Sequence, residues 1–327
     1  MALLEVKDLR VDFKVGKNKT VTAVKNVNFT IDKGQTLGVV GESGCGKSVT
    51  ANTILRLLPA KTSIIADGEI LLDGKDISRV SNKEMKSIRG SKISMIFQEP
   101  MTSLNPVYTI GYQMVEMYQS NMQISKKDAW EKSIEMLKKV GIPAPEQRMK
   151  EFPHQLSGGM RQRVMIAMAL STNPELLIAD EPTTALDVTV QAQVFDLMKK
   201  LQDELNTAIL LITHDMGVVA EMSDYVMVMY AGEVVEYDSV ENIFNHPMHP
   251  YTIGLLKSIP RKDQDVEKLY TIEGTVPALN EMPSGCHFST RCQECTEKCK
   301  NQKPGLFQVG SRQVRCWKYE SAEGTVE

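Results

Sequence analysis

The stretch that constrains this chain most is Gly41–Ser48, which reads Gly-Glu-Ser-Gly-Cys-Gly-Lys-Ser. It fits G-x-x-x-x-G-K-[ST], a phosphate-binding P-loop. Glycines let the backbone curl until successive N–H groups face one anion. Lys47 adds a point charge for the β- and γ-phosphates of a nucleotide, and Ser48 offers a hydroxyl to Mg²⁺. Ahead of the loop, Thr36–Val40 is an apolar run suited to a buried strand. After it, Val49–Leu58 reads as a helix whose positive end faces the same spot. Gly41, Ser43, Gly44, Cys45, Gly46, Lys47, Ser48 and Val49 are the expected cradle, and the fold class is α/β.

Composition narrows the setting. The 327 residues suit about two domains. A net charge of −3 gives no electrostatic case for a nucleic-acid partner. No apolar run approaches the ~20 residues that span a bilayer. The first residues, Met1–Arg10, already carry Glu, Lys and Asp, which is unlike a secretory leader and points to the cytoplasm. Six cysteines are present, five of them after residue 285, so they mark a local site and not a disulfide framework.

In chain order, Leu3–Phe13 and Val21–Ile31 read as strands. Phe13 stands where a ring could stack on a nucleobase or simply face a half-buried strand; both readings stay open. Gly68–Asp73 reads as a strand, Gly74–Ile77 as a turn and Asn82–Ile88 as a short helix. The apolar run Ile93–Phe97 ends at Gln98. Open α/β sheets present ligand groups past their strand ends, so Gln98 is a candidate for Mg²⁺ or the attacking water. Residues Met101–Pro153 change character and read as a helical insert. Tyr108–Gln119 and Lys126–Val140 are its helices, with Trp130, Ile134, Leu137 and Gly141 on one face.

Further signals follow. Leu156-Ser157-Gly158-Gly159-Met160 opens a helix that continues over Arg161–Leu170, leaving N–H groups for an anion. The strand Glu175–Asp180 ends on Asp180-Glu181. Beside a P-loop such an acid holds Mg²⁺, and the next one accepts a proton from the attacking water. Asp187 caps Val188–Leu205. Ala208–Thr213 is a buried strand that ends at His214, aimed at the γ-phosphate. Asp224–Tyr230 and Glu233–Tyr237 read as a hairpin.

Together, Gly41–Ser48, Gln98, Leu156-Ser157-Gly158-Gly159, Asp180-Glu181, Ala185-Leu186-Asp187 and His214 resemble the nucleotide-binding subunit of an ABC transporter. Gln98-Glu99-Pro100-Met101-Thr102-Ser103-Leu104-Asn105-Pro106, His249-Pro250-Tyr251-Thr252, Pro283, Gly285-Cys286 and Arg291-Cys292 resemble its oligopeptide/dipeptide importer branch. Met160, where the general signature has Gln, is typical of that branch. The resemblance implies a RecA-like P-loop NTPase core over residues 1–240, with a helical subdomain at about 101–170. A small Cys-containing extension would occupy 241–327.

It also implies ATP and Mg²⁺ as cofactors, with Ser48, Gln98 and Asp180 at the metal. Glu181 would be the catalytic base, with His214 and Gln98 beside the γ-phosphate. Ser157 and Gly159 would act on the ATP held by a second, related ATPase subunit. Two transmembrane permease subunits and an extracytoplasmic solute-binding protein would complete an importer, with this chain peripheral on the cytoplasmic face of the membrane. The expected solute is a peptide. The competing readings are nickel or opine import by the same machinery, a soluble ABC-type ATPase, and a P-loop kinase.

Cys286, Cys292, Cys295, Cys299 and Cys316 crowd one segment, a density that points to a metal. Zn²⁺ and an iron–sulfur cluster each take four ligands, and unligated thiols are the alternative. Cys286-x5-Cys292-x6-Cys299 followed by Cys316 resembles the pattern that some peptide-importer subunits use for a [4Fe–4S] cluster. Cys295 is then left over, although Cys292-x2-Cys295-x3-Cys299 is also a chelating spacing.

Overall fold

A computed structural model of the chain describes residues 2–16, 19–98, 103–183, 187–259, 270–321 and 325–326. The chain opens with β1 (Ala2–Lys14), β2 (Thr20–Asp32) and the fully buried β3 (Thr36–Val40). After the P-loop come α1 (Lys47–Ile54), β4 (Ser63–Leu72), β5 (Lys75–Asp76), α2 (Asn82–Ile88) and β6 (Ile93–Ile96). Helices α3 (Ile110–Asn121), α4 (Lys126–Lys139), α5 (Pro145–Arg148) and α6 (Gly158–Leu170) follow. Then come β7 (Leu176–Asp180), α7 (Val188–Leu205), β8 (Ala208–Ile212), α8 (Met216–Met222), β9 (Tyr225–Tyr230) and β10 (Glu233–Ser239). The C-terminal part holds α9 (Val240–Asn245), α10 (Pro250–Lys257), α11 (Glu297–Asn301), β11 (Leu306–Val309) and β12 (Arg312–Val314).

Two compact units emerge. One comprises Ile31–Gln35 and Arg79–Leu211, the other Ala2–Thr30, Thr36–Ser78 and Ile212–Glu327.

In the first unit, β6 and β7 pair in parallel, Ile93 opposite Leu176 and Ile96 opposite Ala179. β8 lies on the other side of β7. Both β7 and β8 are buried along their whole length, as expected of strands covered on both faces. The helices α3, α4 and α6 pack on one another. A Cβ on Gly111 would sit 2.8 Å from the Trp130 ring, so only glycine lets α3 and α4 approach this closely.

The buried stripe of α4 is Ala129, Ser133, Met136 and Leu137. Trp130 and Ile134 are only partly buried, and Gly141 is exposed beyond the helix end with φ +72°. The face expected from Trp130 to Gly141 is therefore offset, because Gly141 belongs to the turn and carries no helical periodicity.

In the second unit, β1 pairs antiparallel with β4 from Leu4–Leu72 to Phe13–Ser63. This partner extends β4 well ahead of the Gly68 start that the sequence suggested. α1 begins at Lys47 and ends at Ile54, two residues earlier and four residues shorter than Val49–Leu58 at its respective ends. Arg56 adopts a left-handed φ of +50°, which ends the helix before Leu58. β3 pairs in parallel with β9, β9 turns back into β10, and β10 pairs with β12 of a C-terminal hairpin with β11. One core cluster joins Val40, just ahead of the P-loop, with Tyr230, Tyr251 and Phe288. The C-terminal residues thus share the core that supports the phosphate loop.

Candidate functional site

The P-loop is held by its own backbone and by neighbours within the second unit. A Cβ on Gly41, at φ +151°, would fall 2.2 Å from the Met229 carbonyl, so the turn into the loop tolerates only glycine. Gly46 caps α1 in the left-handed region, which puts Lys47 and Ser48 in the first helical turn, where backbone N–H groups are open to an anion. Lys47 is buried, and its Nζ donates to the carbonyls of Gly41 at 2.6 Å and Glu42 at 3.2 Å. Cys45 Sγ lies 3.8 Å from the same ammonium. Burial pushes the Cys45 thiol up, so it acts as a neutral packing group inside the loop. The Gly232 N–H donates to the Cys45 carbonyl at 3.0 Å and fixes the loop's far side.

The sequence did not single out Glu42. Its backbone N–H donates to the phenol oxygen of Tyr251 at 2.8 Å. Its carboxylate receives both guanidinium nitrogens of Arg291, at 2.5 and 3.0 Å. No local signal marks this pairing, since the partners lie 249 positions apart.

Of the other expected residues in this unit, Phe13 is half-buried near the end of β1, opposite Ser63. His214 is exposed just past β8, where Asp215 caps α8 through its Oδ1. The first unit carries the rest. Parallel pairing of β6 with β7 brings their carboxyl ends side by side, and Gln98 Nε2 donates to Glu181 Oε2 at 2.9 Å. Glu181 holds φ at +47°, a strained position for a non-glycine residue that re-aims its carboxylate. Buried Gln162 donates to the carbonyl of Pro182 and ties the following turn down. Asp180 is buried at the end of β7.

Ser157 caps α6, accepting from the Met160 N–H at 3.3 Å, and is exposed. Gly159 is close to Val190, which a Cβ would meet at 2.9 Å. Asp187 accepts from the Val190 N–H at 2.9 Å, the capping role expected of it. Ala185 and Leu186, and Glu99 to Thr102 of the longer motif, lie outside the described residues.

All six cysteines are free thiols. Cys286, Cys292, Cys299 and Cys316 line one cavity of about 220 Å³, together with His249, Phe288 and Trp317, and Cys295 does not line it. Burial pushes Cys286 up to about 12 and Cys292 up to about 11, and raises Cys316 as well. As placed, no group of three or more His, Cys, Asp or Glu side chains among the described residues is arranged to hold a metal ion. Nor is any described helix long and apolar enough to cross a membrane.

Comparisons with known proteins agree on one kind of chain. Residues 24–184 match the family described as ABC transporter, and residues 235–299 match the family described as Oligopeptide/dipeptide transporter, C-terminal region. The oligopeptide transport ATP-binding protein AppD of Bacillus subtilis (strain 168) is 52% identical over 319 residues, 97% of each chain. The oligopeptide transport ATP-binding protein OppD of Haemophilus influenzae is 52% identical over 96% of this chain and 97% of its own. The dipeptide transport ATP-binding protein DppD of Bacillus subtilis is 50% identical over 96% of this chain and 94% of its own. Among solved structures, a dimeric post-hydrolysis state of the ATP-binding cassette MJ0796 bound to ADP and Pi is similar, with a TM-score of 0.64 and 30% identity. It covers 72% of this chain and 98% of that one.

Proposed function

We infer function from membership: this chain belongs to the ABC transporter family, in its oligopeptide/dipeptide branch, and is the ATP-binding and ATP-hydrolysing subunit that powers peptide uptake through a membrane importer. The observation that carries this is about 52% identity along 97% of both chains, C-terminal region included. The relatives are named for oligopeptides and dipeptides, which favours peptide over nickel or opine as the solute.

For the site we propose roles residue by residue. Gly41, Ser43, Gly44, Cys45, Gly46, Lys47, Ser48 and Val49 cradle the phosphates, with Phe13 against the base. Ser48, Gln98 and Asp180 hold Mg²⁺, whose charge offsets that of the phosphate oxygens. The chemistry of these donors fits the ion: a hydroxyl, an amide oxygen and a carboxylate are the hard oxygen ligands that Mg²⁺ takes. Glu181 accepts the proton of the attacking water, and Gln98 orients it. His214 contacts the γ-phosphate. Ser157 and Gly159 complete the site on a second, related ATPase subunit, so two chains close over shared nucleotides.

The chain attaches peripherally to two permease subunits on the cytoplasmic side of the membrane, served by an extracytoplasmic binding protein. The surface that begins at Gln98 and carries the exposed Val107, Tyr108 and Tyr112 is the permease contact in this reading.

The cysteine cavity supplies four thiols on one wall system, the donor number of a [4Fe–4S] cluster. We propose that Cys286, Cys292, Cys299 and Cys316 hold such a cluster in a structural or sensing role. Loading must draw the thiols together and deprotonate them, and burial pushes Cys286, Cys292 and Cys316 toward the neutral thiol as placed. Iron and sulfide content of anaerobically purified protein tests it, and zinc in place of iron contradicts it.

Affinity purification of the chain from detergent-solubilised membranes tests the assembly. Two permease chains and a second ATPase are expected to copurify, whereas a chain recovered alone, or with ribosomes or DNA, contradicts it.

A further inference from the structure

Glu42 is the second residue of the P-loop, yet its side chain turns away from any phosphate role. The Arg291 guanidinium grips it with two parallel bonds, Nη1 to Oε2 at 2.5 Å and Nη2 to Oε1 at 3.0 Å. Two further donors of Arg291 are also engaged, Nε with the Glu273 carbonyl at 2.9 Å and Nη2 with the Ile272 carbonyl at 3.2 Å. The Arg291 side chain is only 2% exposed, and its guanidinium lies 5.8 Å from the Tyr230 ring centre and 6.0 Å from that of Phe288. Meanwhile the Glu42 N–H is bonded to Tyr251, a fully buried ring packed against Tyr230 and Phe288. One position of the phosphate loop is thus fixed twice, at its backbone and at its carboxylate, by residues of the C-terminal region.

The electrostatics give this pairing a consequence. Lys47 donates to the carbonyls of Gly41 and Glu42, so the direction in which its ammonium points depends on how Glu42 is held. A Glu42 carboxylate released from Arg291 is a local anion on the loop that must receive the triphosphate, and it competes for Lys47. A planar fork meets both carboxylate oxygens at once, which a lysine ammonium does not reproduce.

We propose that Arg291, with Tyr251, is a positioning residue of the ATP site: it holds the Glu42 carboxylate out of the phosphate cradle and makes nucleotide binding depend on the folded C-terminal region. The proposal rests on the reading of Gly41–Ser48 as the ATP cradle.

The test is calorimetric titration of ATP into the full chain for wild type, Arg291→Gln, Glu42→Gln and the double variant. Arg291→Gln is expected to weaken ATP binding about tenfold or more, because the freed Glu42 carboxylate then competes with the triphosphate for Lys47. Glu42→Gln, which removes the rival anion, is expected to stay within about threefold of wild type. The double variant is expected to recover most of the affinity that Arg291→Gln loses. Should Arg291→Gln fail to fold, Arg291→Lys is the second probe, with an expected loss of about threefold from the missing fork. Unchanged affinity in the Arg291 variants, or a double variant as weak as Arg291→Gln, overturns the proposal. Wild type that binds no ATP refutes instead the reading of the P-loop on which it stands.

Discussion

Gln98 Nε2 donates a hydrogen bond to Glu181 Oε2 at 2.9 Å across two neighbouring strand ends. The parallel register of β6 and β7 sets Ile96 beside Ala179, so residues two positions further on emerge together. An amide that donates to one carboxylate oxygen fixes the orientation of the group at the strand end. Glu181→Gln is therefore expected to keep ATP affinity within a few-fold and to lower turnover by about 10²-fold or more, the scale of a lost general base. Phosphate release in single-turnover assays checks it, and persisting hydrolysis refutes the base assignment.

Lys47 is 6% exposed and ties the loop through two carbonyls. Lys47→Ala removes the charge proposed to meet the phosphates and leaves those carbonyls without their donor. ATP affinity is expected to fall by about tenfold or more, each tenfold being about 1.4 kcal/mol. Equilibrium titration with ATP checks it, and unchanged affinity removes Lys47 from the cradle.

Gly41→Ala places a methyl 2.2 Å from the Met229 carbonyl and 2.7 Å from Cys45 Sγ. Backbone cannot yield as a flexible side chain does, so the loop must shift. A stability loss on the order of 1–3 kcal/mol is expected, together with weakened nucleotide binding. Gly44→Ala, whose Cβ would meet nothing within 4 Å, is the milder control although its φ is +80°. Denaturant titration of both variants checks the order.

His249 is buried with its Nδ1 accepting the Tyr251 N–H at 3.1 Å, and burial holds its pKa down at about 3. The folded state thus refuses a proton that the unfolded chain takes up near pH 6.5. Its stabilising effect is full above about 6.5 and is lost progressively as pH falls toward 3, by at most about 1.4 kcal/mol per pH unit. His249→Asn keeps a cap acceptor and removes the titration. Its melting temperature is expected to fall less between pH 6.5 and 4.5 than that of wild type; parallel slopes would refute the role of His249.

The most legible part of the chain was its shortest-range part. The P-loop, β3 and the cap at Asp187 are local patterns, and strand and helix chemistry fix them within a few residues. Gln98 and Glu181 were each readable as residues past a strand end, but their contact depends on sheet register, which one sequence does not display. The clamp of Arg291 on Glu42 was beyond reach for the same reason, at a separation of 249 residues. The C-terminal hairpin of β11 and β12 escaped notice because it is short and half polar, and gains its place only by pairing with β10. The five C-terminal cysteines were readable as a cluster by count, and resemblance left Cys295 over, while the lining of one cavity by the other four is a matter of packing.

Uptake of labelled di- and oligopeptides into cells lacking this chain, complemented with wild type or with Glu181→Gln, tests the central claim most directly. The account predicts that uptake is lost without the chain, returns with wild type and stays lost with Glu181→Gln. Uptake that persists without the chain, or that Glu181→Gln restores, would contradict the assignment of this protein as the ATPase that drives peptide import.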